Sequence, residues 1–256
     1  MGALSGKLIL WDLDGTLIDT IEDLGAAVDH ALGLRGLPLH STEEYRRMVG
    51  HGVRNLVTQA LPSSLQDDEA LVDAALADFR EYYSAHIDVH TRPYPGMQEL
   101  LETLQRDGAR MAVTSNKFQE GTETLVRKFF PGIDFVAILG NRPGFPLKPS
   151  PEIVAEVFAL AGSCSCGRSG VSGGVSGASS GLSGAADGHS VASGGPSKAD
   201  AVLVGDSPTD MLTAANGGIG AIAVSWGYRT PAELAGHRLV HSPEELLQAL
   251  EEWETP

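Results

Sequence analysis

The chain has 256 residues, 42% hydrophobic and 20% charged, enough for one α/β domain or a core with a small accessory domain. A formal net charge of −15 argues against a basic nucleic-acid-binding face, so no nucleic-acid partner is expected. No apolar run approaches the roughly 18 residues of a membrane span, and the first apolar run is cut short by Asp12, so neither a membrane span nor a signal peptide is expected.

The first strand signal is the apolar run 7–11, and it leads straight into Asp12-Leu13-Asp14-Gly15-Thr16. Two carboxylates at the end of a buried strand repel each other. One pKa rises sharply unless a cation or strong donors compensate. Residues 20–90 then carry helical periodicity, over 21–32, 53–61 and 68–86, and no clear buried strand. An all-helical block between the first strand and the next βα unit predicts an inserted cap domain. Within it, Gly50-His51-Gly52 precedes the segment that begins at Val53. Paired glycines before a helix can free backbone N–H groups for a small anion; an ordinary inter-helix turn would look the same. His51 and Arg54 either add polarity to a pocket or lie on the surface. Residues 91–96, with Pro93 and Pro95, form the expected return linker.

Strand and helix signals then alternate. Strands are expected at 109–114, 135–139, 201–204 and 221–224, and helices at 96–105, 119–129, 151–160, 209–216 and 243–252. This predicts a doubly wound, mostly parallel α/β sheet with a Rossmann-like core at 1–19 and 91–256 and a helical cap at 20–90. Residues 162–198 are dominated by Gly and Ser and lack aromatics. Such a tract cannot bury enough apolar surface to offset its ordering entropy, so a disordered insertion is expected. Cys164, Cys166 and His189 fall inside it and match no standard zinc spacing. Gly218-Ile219-Gly220-Ala221-Ile222-Ala223 fits a dinucleotide pattern on paper, but it enters a strand instead of following one.

In open parallel sheets ligands bind at the carboxyl ends of the strands. Four such ends offer Asp12/Asp14, Ser115/Asn116, Lys148 and Asp206/Asp210. Oxygen ligands of this kind suit Mg²⁺. With a fixed positive charge and a hydroxyl donor, the set fits a phosphoryl group beside a metal. Taken singly, each has a plainer reading: a solvated turn, a helix cap, a surface lysine, a loop serine. Their order along the chain carries the inference.

The four segments DLDGT, TSN, KPSP and GDSPTD resemble, in order, the four motifs of the haloacid dehalogenase (HAD) superfamily, and the helical block resembles its C1-type cap. The resemblance implies a Mg²⁺-dependent phosphatase acting through an aspartyl-phosphate. Asp12 would be the nucleophile and Asp14 the acid and base for the leaving group and water. The metal would be held by the Asp12 carboxylate, the Asp14 main-chain carbonyl and Asp206, with Asp210 a further acidic member. Ser115, Asn116, Gly15 and Thr16 would surround the phosphoryl group, and Lys148 would hold both nucleophile and phosphate. Thr114 also ends its strand, but the Asn-Lys that follows favours Ser115. Asp14 itself separates the chain from true haloacid dehalogenases, which lack an aspartate there.

The segment Val49–Val57 is similar to one in phosphoglycolate phosphatases, and so are 225–230 and 239–246, where Tyr228 and Arg229 read as loop structure. The expected partner is a small phosphorylated metabolite, with 2-phosphoglycolate first. Pyrophosphatases, other sugar-phosphate phosphatases and phosphomutases of the β-phosphoglucomutase kind share the architecture. A catalytically silent binding protein is the reading from a different class. A cytoplasmic monomer or homodimer completes the expectation.

Overall fold

The computed structural model describes residues 4–163 and 196–253. A six-stranded sheet runs through the core: β1 (Leu8–Trp11), β4 (Arg110–Phe118), β5 (Phe135–Asn141), β6 (Ala201–Gly205), β7 (Gly220–Val224) and β8 (Arg238–Val240). Its spatial order is β5-β4-β1-β6-β7-β8, and every pairing is parallel. Alternation along each strand decides which face a side chain takes. Ile9 and Trp11 face the layer of α5 (Met97–Arg106), α6 (Gln119–Phe129) and α9 (Pro243–Glu251). Leu8 and Leu10 face α7 (Glu152–Ser163) and α8 (Pro208–Gly217). Both faces are covered, so β1 is apolar at every position.

The chain builds outward from β1 to β4 and β5, then returns across the sheet to β6. That reversal makes the ends of β1, β4 and β6 the switch point where such folds hold ligands.

Between β1 and α5 stand α1 (Ile21–Gly33), α2 (Thr42–Met48), α3 (Val53–Ala60) and α4 (Glu69–His86), with a short 3₁₀ turn at Ser63–Leu65. On α1, Leu24, Ala27, Val28, Ala31 and Leu32 are buried. Their spacing lines one helical face, which packs on Val72, Leu76 and Phe79 of α4 within the same cluster. This is the helical cap.

Four features depart from expectation. The strand at 109–114 continues to Phe118, with an irregular register between Thr114 and Phe118 where β4 leaves and rejoins β5. Ser115, Asn116 and Lys117 therefore belong to a distorted strand. The linker 91–96 contains β3 (Arg92–Pro93), paired antiparallel with β2 (Ile18–Asp19). A two-residue ribbon is too short to show a period, and proline is tolerated at an edge. The edge strand β8 had no strand signal of its own. Of the Gly/Ser tract, Gly162 and Ser163 finish α7 and Lys198 opens a 3₁₀ turn. The expected disorder, with Cys164, Cys166 and His189, lies outside the described residues.

Among the described residues no helix is long and apolar enough to cross a membrane. The exit from the core into the cap and the return are tied by Asp23. Its buried carboxylate accepts from the His90 amide (2.9 and 3.0 Å), the Thr91 amide (2.8 Å) and the Thr91 hydroxyl (2.7 Å).

Candidate active site

The Asp12 amide donates to the Val204 carbonyl at 2.9 Å, so β6 fixes the direction in which the chain leaves β1. The Lys148 ammonium lies against that aspartate. Its Nζ donates to Asp12 Oδ1 at 2.6 Å, Asp210 Oδ1 at 2.7 Å and the Thr114 carbonyl at 2.9 Å. A lysine has three N–H donors, and all are used. Asn116 aims this lysine. Its Oδ1 accepts from the Lys148 amide at 2.8 Å and its Nδ2 donates to the Lys148 carbonyl at 3.1 Å.

Asp210 is placed by the first turn of α8. Ser207 caps that helix, and the Asp210 carboxylate answers by accepting from the Ser207 amide and hydroxyl, at 3.1 and 2.6 Å. Asp206 precedes the cap, and its Oδ2 accepts from the Tyr228 amide at 2.6 Å. Two glycines give it room. A Cβ on Gly15, where φ is +91°, would stand 2.5 Å from Asp206 Oδ2, and one on Gly227 would stand 2.4 Å from it.

Asp12, Asp206 and Asp210 are buried, and an oxygen from each lies within 4.8 Å of the others. Burial pushes the Asp12 carboxyl well above its usual range; Lys148 pulls it down, and Asp210 and Asp206 push it up again. Burial, then Asp210, push Asp206 up to about 7. Burial disfavours the Lys148 ammonium, but Asp12 and Asp210 outweigh this and hold it charged. One ammonium against three carboxylates leaves negative charge unmet. A cluster of hard oxygen donors with excess negative charge fits a divalent cation.

The sequence profile of the haloacid dehalogenase-like hydrolases matches residues 9–164, and a second HAD-hydrolase-like profile matches 148–253. The chain belongs to the haloacid dehalogenase-like hydrolases. This hydrolase is 32% identical over 249 residues to phosphoglycolate phosphatase 1 of Pseudomonas aeruginosa, covering 94% of this chain and 78% of that protein. It is 31% identical to a phosphoglycolate phosphatase of Mesorhizobium japonicum, covering 88% and 85%. A solved structure from Lactobacillus delbrueckii subsp. bulgaricus, provisionally named a phosphoglycolate phosphatase, superposes with a TM-score of 0.77 at 27% identity, covering 98% and 99%. With these relatives the chain is an enzyme of the phosphatase class.

The structure draws the residues singled out in the sequence into two groups. Asp12, Asp14, Ser115, Asn116, Lys148, Asp206 and Asp210 line one cavity between core and cap, joined by Gly50 and Gly52. Thr114 does not line it, and its carbonyl serves Lys148. The Asp14 carboxylate stands outside the acidic cluster of this hydrolase. It accepts from Thr20 Oγ1 at 2.8 Å and faces Lys117 Nζ at 3.2 and 3.4 Å. Metal ligation by Asp14 would therefore fall to its main chain. Thr16 is buried, with Oγ1 3.5 Å from Asp12 Oδ2. The Gly50 carbonyl accepts from Asn116 Nδ2 at 2.9 Å, and Gly52 lies against Leu147. His51 and Arg54 are exposed and do not line the cavity. Arg54 pairs with Glu69 and Asp73 of α4, because α3 turns that face toward α4 and away from the core.

Sequence reasoning takes Tyr228 and Arg229 as loop structure and uses Lys117 only to place Ser115, yet all three line the cavity. It also missed the cap side chains Phe79 and Tyr83, which helical spacing marks only as core. The position of Lys117 directly after Asn116 was a usable signal for one of them.

Proposed function

We propose that this phosphatase hydrolyses a small phosphate monoester, 2-phosphoglycolate first, with Mg²⁺ and through an aspartyl-phosphate on Asp12. The observation that carries the reading is Lys148 Nζ bridging Asp12 and Asp210 beside Asp206, at the ends of β1, β4 and β6. The names of the relatives support the substrate.

Asp12 Oδ2, the oxygen not held by Lys148, attacks phosphorus. The bond from phosphorus to the leaving oxygen breaks, and Asp14 gives that oxygen its proton. In the second half Asp14 takes a proton from water, the water oxygen attacks phosphorus, and the bond to Asp12 breaks to release phosphate. Ser115 and the Asn116 amide, in the cavity lining, would donate to the phosphoryl oxygens, and Lys148 together with the bound cation would favour the ionised form of Asp12 against the burial that raises it. Mg²⁺, held by Asp12, Asp206 and the Asp14 main chain with Asp210 alongside, would supply positive charge against the phosphoryl oxygens. The apolar cap side chains exclude water from the phosphoryl group. In this reading residues 1–19 and 91–256 form the catalytic core and 20–90 the cap, in a cytoplasmic enzyme.

The test is phosphate release from 2-phosphoglycolate, glucose 1-phosphate, pyrophosphate and p-nitrophenyl phosphate, with and without Mg²⁺, and with Asp12→Asn as control. The reading requires Mg²⁺-dependent release, highest kcat/KM for 2-phosphoglycolate and a silent Asp12→Asn. Release that the variant retains removes the aspartyl-phosphate step. A different best substrate removes the phosphoglycolate assignment alone.

A further inference from the structure

Three cations line the cavity among the described residues: Lys148, Arg229 and Lys117. Lys148 spends all three N–H donors on Asp12, Asp210 and the Thr114 carbonyl. Arg229 gives its two terminal nitrogens to the carbonyls of Arg46 and Val49 in the cap. Lys117 differs. Its side chain is only 3% exposed, and among the described residues its one charged partner is Asp14, at 3.2 and 3.4 Å. Charge-assisted N–H···O bonds usually run at about 2.7–2.9 Å, so this pair is loose. Lys117 Nζ also lies over the face of Tyr83, 4.7 Å from the ring centroid. The Tyr83 hydroxyl is itself buried and has no hydrogen-bond partner among the described residues.

Among the described residues, the cap side of the cavity carries no charged side chain. Leu24, Val53, Leu56 and Phe79 supply apolar surface there. Any charged group on the leaving part of a substrate must therefore be met from the core. Burying an ammonium with one loose partner is costly unless a second anion completes its shell. The position suits such an anion. Lys117 sits beside Asp14, the group that protonates the leaving oxygen in the proposed reaction. In a two-carbon acid a carboxylate oxygen lies roughly 3 Å from the ester oxygen. An ester oxygen at Asp14 thus brings a carboxylate one carbon away to the Lys117 ammonium.

We propose that Lys117 is the substrate-selecting cation of this site, binding the carboxylate of a short phosphorylated hydroxy acid. The inference rests on the phosphatase reading of the same cavity and gives that reading its chemical basis for selectivity. Neutral leaving groups are disfavoured because they leave the ammonium incompletely paired.

The experiment compares kcat/KM for 2-phosphoglycolate and for ethyl phosphate, which has the same length and no carboxylate, in wild type, Lys117→Met and Lys117→Arg. Wild type is expected to prefer 2-phosphoglycolate. In Lys117→Met that preference ratio falls by about 30-fold or more, with most of the loss in KM. Lys117→Arg retains the preference to within about tenfold, and decides the matter if Lys117→Met does not fold. Glycolate inhibition of p-nitrophenyl phosphate hydrolysis weakens in parallel. An unchanged ratio, or equal losses on both substrates, overturns the inference and reduces Lys117 to a partner of Asp14. A wild type that cleaves both esters equally well also overturns it while the phosphatase reading stands. A wild type that cleaves neither overturns both.

Discussion

Arg229, in the loop after β7, donates a guanidinium nitrogen to the carbonyl of Val49, the residue that ends α2 in the cap. Its second terminal nitrogen goes to the Arg46 carbonyl one turn earlier. A cation at the carboxyl end of a helix meets free carbonyls and the negative end of the dipole. One side chain of the core therefore holds the cap over the site. Replacing Arg229 by Ala is expected to raise KM about tenfold and to speed amide exchange across α2 and α3. Unchanged exchange there would mean that the cap is held by other contacts.

Asp206 gives the metal-free enzyme a pH dependence with a defined sign. Its carboxyl is raised to about 7 in the folded chain from an ordinary value of 3.8. Between those values the folded chain keeps a proton that the unfolded chain has lost. Stability from this group is present below the lower value and is lost as pH rises toward the upper one. With a chelator present, melting temperature should fall between pH 5 and pH 7.5 by roughly 5 °C more in wild type than in Asp206→Asn. Adding Mg²⁺ at pH 7.5 should restore it. A wild-type slope equal to that of Asp206→Asn would contradict this account.

The same unmet charge sets activity against stability. Asp12→Asn removes one of three clustered carboxylates facing one ammonium. Without metal, the variant should melt at or above the wild-type temperature while its phosphatase activity falls by a factor of about a thousand or more. Calorimetry beside a phosphate-release assay checks both halves.

Gly227 is expected to be intolerant for a local reason. A Cβ there would stand 2.3 Å from Asp206 Cβ and 2.4 Å from the Gly15 carbonyl oxygen. Gly227→Ala must displace Asp206 or the turn at Gly15. Metal-dependent activity should fall by about a hundredfold, and titration calorimetry should show weakened Mg²⁺ binding. Normal Mg²⁺ affinity would show that the turn yields instead.

Asp23 should matter for the fold and not for the chemistry. Its carboxylate satisfies the His90 and Thr91 amides and the Thr91 hydroxyl in a buried setting. Asp23→Ala leaves those donors unpaired, at a cost of about 2–4 kcal/mol. Urea unfolding measures this directly.

The sequence by itself determined the layered fold, because strand and helix periods and their punctuation are local properties. Fully apolar strands such as Leu8–Trp11 require helices on both faces, and alternation supplies them. The order of Asp12, Ser115, Lys148 and Asp206 along the chain was also readable, since each follows a strand signal. What only the tertiary structure decided are the pairings. The distortion of β4 after Thr114 carries Lys117 into the cavity beside Asp14, 103 positions away in the chain. Tyr228 reaches Asp206, and Arg229 reaches the cap, through a loop with no period at all. His51 and Arg54 look like pocket residues beside paired glycines, yet α3 presents Arg54 to the acids of α4. Such contacts depend on how elements are rotated and packed, and packing across the chain leaves no local signature to read.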